Sequence, residues 1–185
     1  MAVLFAYPER EFGLSELAEK ACVRKANIGR ILDDFQKRDL VEIEKLRKIW
    51  RIRANQKNPH FIREKIFFNL GVIYEAFYES YFIDFLNDYF RNPKAIILFG
   101  SFRKGEDIST SDIDIAIERD DIKDYRIGHL EEMVSKSLRE HALRFEKDIG
   151  KKIQVHIFNR KNIDLNLFNN IANGIALSGF LEVRP

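Results

Sequence analysis

Two short apolar runs separated by a polar loop constrain the fold of this chain more than any other feature. The first run, Ala95–Phe99, is too short for an independent helix and contains β-branched residues, which predicts a buried strand. A Gly-Ser pair ends that strand, and an alternating run over residues 112–117 predicts a second strand after the loop. Because side chains alternate between the two faces of a strand, Asp112 and Asp114 are expected on the same face.

This arrangement predicts a site for a metal ion and a phosphate. Two carboxylates held side by side repel each other, and a divalent cation between them removes that cost. Mg²⁺ prefers oxygen ligands and keeps open positions for the phosphates of a substrate. The backbone at Gly100 allows a phosphate to approach closely, and Ser101 adds a hydroxyl donor.

The pattern of Gly-Ser, ten residues and Asp-x-Asp between two apolar strands resembles the nucleotidyltransferase superfamily of DNA polymerase β. The likeness is greatest to the small prokaryotic minimal members. The resemblance implies that Gly100 and Ser101 hold the phosphates of an NTP, with ATP as the expected nucleotide, and that Lys104 is the basic residue of the loop. It further implies that Asp112 and Asp114 are catalytic and bind Mg²⁺ or Mn²⁺.

The stretch over residues 151–158 predicts a third strand, with Gln154 and His156 on one face. The resemblance implies a third carboxylate on this strand, which completes a two-metal site and serves as the base for the attacking hydroxyl. The matching residue is Gln154, whose amide cannot accept that proton and is a weaker metal ligand. His156 is either a substitute base or an ordinary half-buried histidine. The nucleotide-binding half of the site is therefore expected to be intact and the transfer half weakened.

The composition is that of a globular protein without a membrane segment. Apolar residues make up 45% of the 185 residues and charged residues 32%, and no apolar run approaches the roughly 20 residues that span a bilayer. The first residues lack the features of a secretory signal, and the single cysteine, Cys22, excludes an internal disulfide. A cytoplasmic protein is therefore expected.

The first 65 residues carry a net positive charge, which makes them the candidate for binding a polyanion. Apolar periodicity predicts helices at about 13–21 and 24–38, then strands at 40–43 and 49–53. This order resembles the winged helix-turn-helix, whose second helix enters the major groove of DNA and whose hairpin contacts the backbone. The residues assigned to duplex DNA in this way are Arg24, Lys25, Asn27, Arg30, Lys45, Arg47 and Lys48. Winged helices also serve as dimerisation or protein-docking modules, so those alternatives stay open.

The segment over residues 59–93 is rich in Phe and Tyr and predicts a helical connector, with Gly71 marking a bend between two helices. Its rings are expected to pack the connector onto its neighbours. One alternative is a homodimer interface, since aromatic residues are enriched in interface cores. Base stacking is a further alternative, which the lack of interleaved basic residues disfavours.

The sequence thus predicts an α+β protein with a winged helix-turn-helix domain at 1–58, a helical connector at 59–93 and a nucleotidyltransferase domain at 94–185. The last domain is expected to hold a mixed β-sheet flanked by helices, including helices at 124–149 and about 164–173. The expected function is Mg²⁺-dependent transfer of an NMP from an NTP to an unidentified hydroxyl acceptor. The alternative is a DNA-binding regulator whose transferase domain binds nucleotide but is catalytically weakened.

Overall fold

The computed structural model describes residues 1–47 and 49–183 and divides the chain into two compact units, Met1–Phe68 and Asn69–Pro185. Each unit buries its own apolar core, as chains that split into domains do. Within the described residues, no helix combines the length and the apolar character that a membrane crossing requires.

In its described residues, the first unit contains three helices, a two-stranded antiparallel hairpin and the beginning of a fourth helix. These elements are α1 (Ala2–Ala6), α2 (Leu14–Lys20), α3 (Lys25–Lys37), β1 (Val41–Leu46) and β2 (Ile49–Ala54). The apolar positions of α2 and α3 repeat at helical spacing, and Leu17, Ile28 and Leu32 from these helices are buried together with Phe12 and Ile52. Two helices and two strands therefore occur where the sequence pattern predicts them, whereas α1 has no counterpart in the prediction.

A long helical segment follows the hairpin, but its bend is not at Gly71. Helix α4 (Pro59–Ile73) runs through Gly71, which is exposed and would have open space around an added Cβ atom. A π-helix (Tyr74–Glu79) continues it, and the chain turns at Tyr81, whose φ of 60° is left-handed, before α5 (Phe82–Tyr89). A helix tolerates a glycine at a modest cost in free energy, so glycine alone does not define a bend.

The aromatic residues of this segment divide into buried and exposed groups. Phe77 and Phe82 are completely enclosed, and the Phe82 ring stacks on Phe145 with the centroids 3.7 Å apart. Tyr74 and Tyr81 expose 62% and 74% of their surface. The buried rings contribute to the core, as expected, and a homodimer interface through the exposed rings stays a prediction.

The second unit is built on a five-stranded mixed sheet with the order β5-β6-β4-β3-β7. Its strands are β3 (Ala95–Phe99), β4 (Ile113–Glu118), β5 (Arg126–His129), β6 (Ile153–Phe158) and β7 (Ile175–Gly179). The helices are α6 (Gly100–Lys104), α7 (Leu130–Met133), α8 (Arg139–Ile149) and α9 (Leu165–Ala172), with a 3₁₀ turn at Arg160–Asn162. Strands β4 and β6 are parallel, and every other neighbouring pair is antiparallel.

The two faces of this sheet differ in chemistry. Ile113, Ile115 and Ile117 of β4 point to the main core, and the same face of β6 supplies Ile153 and Val155. The opposite face of the same strands carries Asp114, Glu118, Gln154 and His156 beside Ala116 and Phe158, which belong to a second, smaller apolar cluster. Because the period of a strand is two residues, one face builds the main core, and the other combines a smaller core with the polar side chains.

The prediction of a single helix over residues 124–149 is wrong. That stretch contains β5, the short α7, a break near Val134 and then α8. Strand β5 pairs antiparallel with β6 and lies at the edge of the sheet. Its Ile127 is 51% exposed, so the strand lacks the buried apolar alternation by which a strand is recognised in a sequence.

Candidate functional site

The polar face of the sheet begins where β3 ends and β4 starts. These strands pair so that Phe99 lies opposite Asp114. The next residue, Gly100, has a φ of +76°, and a Cβ atom there would overlap the Asp114 carboxylate and stand 2.8 Å from its Cγ. Only glycine therefore allows this backbone conformation and this close approach at once.

Helix α6 starts at this point of contact and is five residues long. Ser101 is half-buried in its first turn, and Lys104 is exposed in its last turn. Gly105 ends the helix in the left-handed conformation with a φ of 70°. The structure therefore places Gly100 and Ser101 at the end of α6 next to Asp114, and Lys104 at the opposite end, about 6 Å farther along the axis.

The loop between α6 and β4 is fixed by buried polar contacts. Asp107 is 1% exposed, and its carboxylate lies 3.3 Å from Nζ of Lys151. The same ammonium group donates hydrogen bonds to the carbonyl oxygens of Ile108 and Ser111, at 2.9 and 3.1 Å. Nδ2 of Asn69 donates to Asp107 at 2.8 Å. These contacts hold the backbone that leads directly into the acidic pair.

Each acid of the pair faces a histidine. Oδ2 of Asp112 lies 4.0 Å from Nδ1 of His129, and Oδ1 of Asp114 lies 3.6 Å from Nε2 of His156. His129 comes from the edge strand β5 and His156 from β6. Throughout residues 1–47 and 49–183, these are the partners within 4 Å that form ion-pair contacts with the two acids, and no Lys or Arg does so.

A tyrosine completes this side of the site. The hydroxyl of Tyr125 lies 2.6 Å from Nδ1 of His156, and the His156 ring stands edge-on to Phe99 with the centroids 4.9 Å apart. Burial raises the pKa of the Tyr125 hydroxyl, and the negative charge of Asp114 raises it further. The phenol is therefore protonated at neutral pH and is able to donate a hydrogen bond.

Comparison with known proteins identifies the second unit. Residues 82–178 match the family described as "Polymerase beta, Nucleotidyltransferase", from α5 to β7. The chain belongs to this family. No curated protein and no solved structure gives a match. The resemblance of the Gly-Ser and Asp-x-Asp pattern to nucleotidyltransferases is thereby confirmed, whereas the match does not extend to the first unit.

Strand β6 of this nucleotidyltransferase domain carries Gln154, which the resemblance predicts to stand in place of a third carboxylate. Asp114 and Gln154 are in register on the parallel strands β4 and β6, and His129 of β5 is in register with Gln154 from the other side. Gln154 is thus the half-buried residue between an acid and a histidine, on the face that the sequence predicts. An amide at this position supplies a neutral oxygen where a carboxylate would supply a negative charge.

Nucleotidyltransferases of this family generally use divalent metal ions, and the residues of this chain fit such an ion. The side chains of Asp112 and Asp114 are 30% and 21% exposed, so both carboxylates can be reached from solvent. In the part of the chain that the structure describes, no group of three or more His, Cys, Asp or Glu side chains is placed to hold a metal ion. Mg²⁺ is commonly held by one or two carboxylates, with phosphates and water as its other ligands, and two carboxylates are sufficient for that mode.

Two residues of this site were missed in the sequence. Both fall within the stretch 124–149 that is predicted to be helical. In the structure His129 ends strand β5, and Tyr125 lies in the loop directly before that strand. The pairing of β5 with β6 brings them beside the acids, and that pairing has no strong local signal. A prediction of the edge strand would have been sufficient to place His129 opposite Gln154.

A substitution at Gly100 tests the contact on which the site is built. Gly100→Ala is expected to lower the free energy of unfolding by more than about 1–2 kcal/mol, because a positive φ alone costs that much for a residue with a Cβ atom. It should also weaken Mn²⁺ binding, since the new methyl group displaces the Asp114 carboxylate. Urea unfolding and calorimetry with Mn²⁺ measure the two effects.

Gly71→Ala is the matched control. It adds the same methyl group at an exposed helical position with open space around it, so it should leave Mn²⁺ binding unchanged and raise stability by about 0.5–1 kcal/mol. Equal stability and equal Mn²⁺ affinity for Gly100→Ala and wild type would contradict the role assigned to Gly100.

Proposed function

We propose that this chain is a metal-dependent nucleotidyltransferase that moves an NMP from an NTP, with ATP as the expected donor, to a hydroxyl acceptor. The observation that carries the proposal is the contact between the Gly100 backbone and the Asp114 carboxylate. It brings a phosphate-sized turn and an accessible acidic pair to one point of the sheet. The family match over residues 82–178 supports the same class of reaction.

The residues have distinct roles in this proposal. Gly100 and Ser101 bind the β- and γ-phosphates, Asp112 and Asp114 hold Mg²⁺ or Mn²⁺, and Lys104 adds positive charge at the far end of α6. The metal ion neutralises phosphate charge when it is bound. The acceptor oxygen attacks the α-phosphorus, the bond from that phosphorus to the bridging oxygen of the β-phosphate breaks, and pyrophosphate leaves. The proton of the acceptor hydroxyl passes to water. The contacts of Lys151 keep the loop before Asp112 ordered, so that orienting the acids costs little at the moment of reaction.

The amide of Gln154 limits the rate of this reaction. It cannot take the proton of the attacking hydroxyl, and it removes one negative charge from the position in register with Asp114. Nucleotide binding depends on the acidic pair and on the Gly-Ser turn, so it is retained. The loss of the third carboxylate therefore destabilises mainly the transition state, in which that carboxylate would accept the proton.

A second candidate function, in which the first unit binds duplex DNA, is favoured by the charge at the start of α3. Arg24 is the N-cap of that helix and Lys25 its first residue, and the first turn contains no acid. Cations at a helix N-terminus are electrostatically unfavourable, because the helix dipole is positive there. Arg24 and Lys25, together with Asn27 and Arg30, make the start of α3 an exposed basic surface that suits a phosphate backbone.

The basic residues of the hairpin contribute less to such a surface. Arg53 pairs with Glu42 at 2.7 Å, and Nζ of Lys45 lies 4.1 Å from the centre of the Trp50 ring. Arg47 is exposed in the turn of the hairpin, and Lys48 lies outside the described residues. The proposed winged helix would therefore contact DNA mainly through α3 and Arg47. In this alternative the protein is a DNA-binding regulator with a catalytically weakened transferase domain.

The first test of the proposed function is nucleotide binding. The double variant Asp112→Asn, Asp114→Asn should lose the gain in ATP affinity that Mg²⁺ gives to the wild type, a loss of more than about tenfold or 1.4 kcal/mol. The control Asp124→Asn removes one exposed acid outside the pair and should bind as the wild type does. Titration calorimetry with and without Mg²⁺ measures these affinities. If the double variant keeps the Mg²⁺-dependent gain, the acidic pair is not the metal site.

The second test concerns turnover. Gln154→Asp should accelerate transfer by about 10²–10⁴, the usual contribution of a general base, while ATP affinity changes little. Gln154→Asn has nearly the same shape without the charge and should stay as slow as the wild type. The measurement is release of pyrophosphate and of labelled product after incubation with labelled NTP and cell lysate. A wild type that already turns over several times per second, with Gln154→Asp no faster, would place the base elsewhere.

The third test asks whether the first unit binds duplex DNA through the start of α3. Arg24→Glu with Lys25→Glu in the full chain should lower the salt dependence of duplex binding, with a change in log–log slope of about 1.8 for two lost phosphate contacts. Lys37→Glu with Lys57→Glu changes net charge equally at exposed positions away from the start of α3 and should keep the slope. Fluorescence anisotropy across a range of salt concentrations measures both. Absence of binding at low salt would make the first unit a protein-docking module.

A further inference from the structure

We propose that Tyr125 and His156 are positioning residues that fix the carboxylate of Asp114 through a directed chain of contacts. The chain runs from the Tyr125 hydroxyl to Nδ1 of His156, at 2.6 Å, and from Nε2 of the same ring to Oδ1 of Asp114, at 3.6 Å. This inference rests on the proposed function for its consequence, but the chain of contacts can be tested without it.

The first step of the argument is that Asp114 is held from both sides. Its Oδ2 atom lies against the backbone of Gly100, where no side chain could be accommodated. Its Oδ1 atom faces the imidazole of His156. The carboxylate is therefore bounded on both sides. A half-turn only exchanges two equivalent oxygens, but a smaller rotation would move one oxygen away from Nε2 of His156 and the other relative to the Gly100 backbone.

The second step is that the His156 ring is itself immobilised. Only 8% of its side chain is exposed, and the ring packs edge-on against Phe99. Phe99 is paired with Asp114 across β3 and β4, so the ring is supported by the strand next to the acid. Packing sets the plane of the imidazole, and a hydrogen bond at one nitrogen then decides what the other nitrogen presents.

The third step concerns the tautomer of His156. A lone pair on Nε2 directed at the Asp114 carboxylate would be repelled by it, whereas an N–H group would be attracted. This geometry therefore favours the tautomer with its proton on Nε2, in which Nδ1 accepts a hydrogen bond from the Tyr125 hydroxyl. Nε2 has no hydrogen-bond partner among the described residues, which agrees with an N–H group that points at Asp114 from just beyond hydrogen-bond distance.

The consequence is that the Nε2–H group of His156 orients the Asp114 carboxylate. Because Gln154 leaves no third carboxylate in register with Asp114, charge repulsion from that side cannot help to hold its orientation. When a residue that contacts a metal ligand, but not the metal itself, is removed, metal affinity typically falls by 10–100-fold.

The tautomer is measured first, in the metal-free protein. Two-bond ¹H–¹⁵N correlation spectra of protein labelled at histidine should show His156 as the neutral Nε2–H form, with its signals assigned by their loss in His156→Gln. Tyr125→Phe should convert this residue to a mixture of tautomers, and Asp114→Asn should shift the Nε2–H proton. A wild-type ring protonated on Nδ1, or on both nitrogens, overturns the proposal, because Tyr125 could not then donate to it.

The effect on Asp114 is measured next, with Mn²⁺ alone as the probe. Tyr125→Phe should weaken Mn²⁺ binding by about tenfold, and His156→Leu by about 10–100-fold. His156→Gln should recover part of the loss, since its amide N–H can reach the position of Nε2. The control Tyr89→Phe removes a half-buried tyrosine hydrogen bond, to the carbonyl of Met133 at 3.2 Å, and should leave Mn²⁺ affinity unchanged.

The outcomes distinguish this inference from the proposed function. Equal Mn²⁺ affinity for Tyr125→Phe and Tyr89→Phe overturns the positioning role, even where ATP binds and is turned over. A wild type that binds neither Mn²⁺ nor Mg²⁺-ATP overturns the proposed function. In that case the spectra of the metal-free protein alone test the Tyr125–His156–Asp114 contacts, through the tautomer of His156.

Discussion

The pairing of β3 with β4 is the constraint on which the candidate site depends. It sets Phe99 opposite Asp114, so that the next residue, Gly100, meets the acid directly. If the register of this pairing shifted by one residue, Asp114 would move to the apolar core and Ile115 to the polar face, because the side-chain period of a strand is two residues. The buried isoleucines of β4 therefore set the face of the sheet on which Asp114 lies.

Much of this arrangement could be predicted from local pattern. Ala95–Phe99 was predicted with its bounds, and β4 and β6 occur within one or two residues of their predicted starts. Gln154 lies in register with Asp114, as expected from the resemblance. The edge strand β5 could not be predicted, because Ile127 is exposed and the pairing with β6, not a local alternation, makes it a strand.

The same limit explains the residues that the sequence did not reveal. Tyr125 and His129 have no spacing that links them to the Asp-x-Asp motif, and they reach it only because β5 pairs with β6. His156 was recognised as a residue of the right face, but its two nitrogens were not distinguished. Which nitrogen faces Asp114 depends on packing against Phe99, and that contact joins residues far apart in the sequence.

The acids on and beside β4 differ in burial and in their charged partners. Glu118 lies on the same face as Asp114 but is 2% exposed, and its Oε1 lies 3.4 Å from Nε of Arg160. Burial raises the pKa of the Glu118 carboxyl against the opposing effect of Arg160. Asp112 and Asp114 instead stay accessible and face imidazoles. Glu118 is thus paired with Arg160, whereas Asp112 and Asp114 have no Lys or Arg partner among the described residues and stay accessible. Such a pair suits a divalent cation, since Mg²⁺ is usually held by one or two carboxylates.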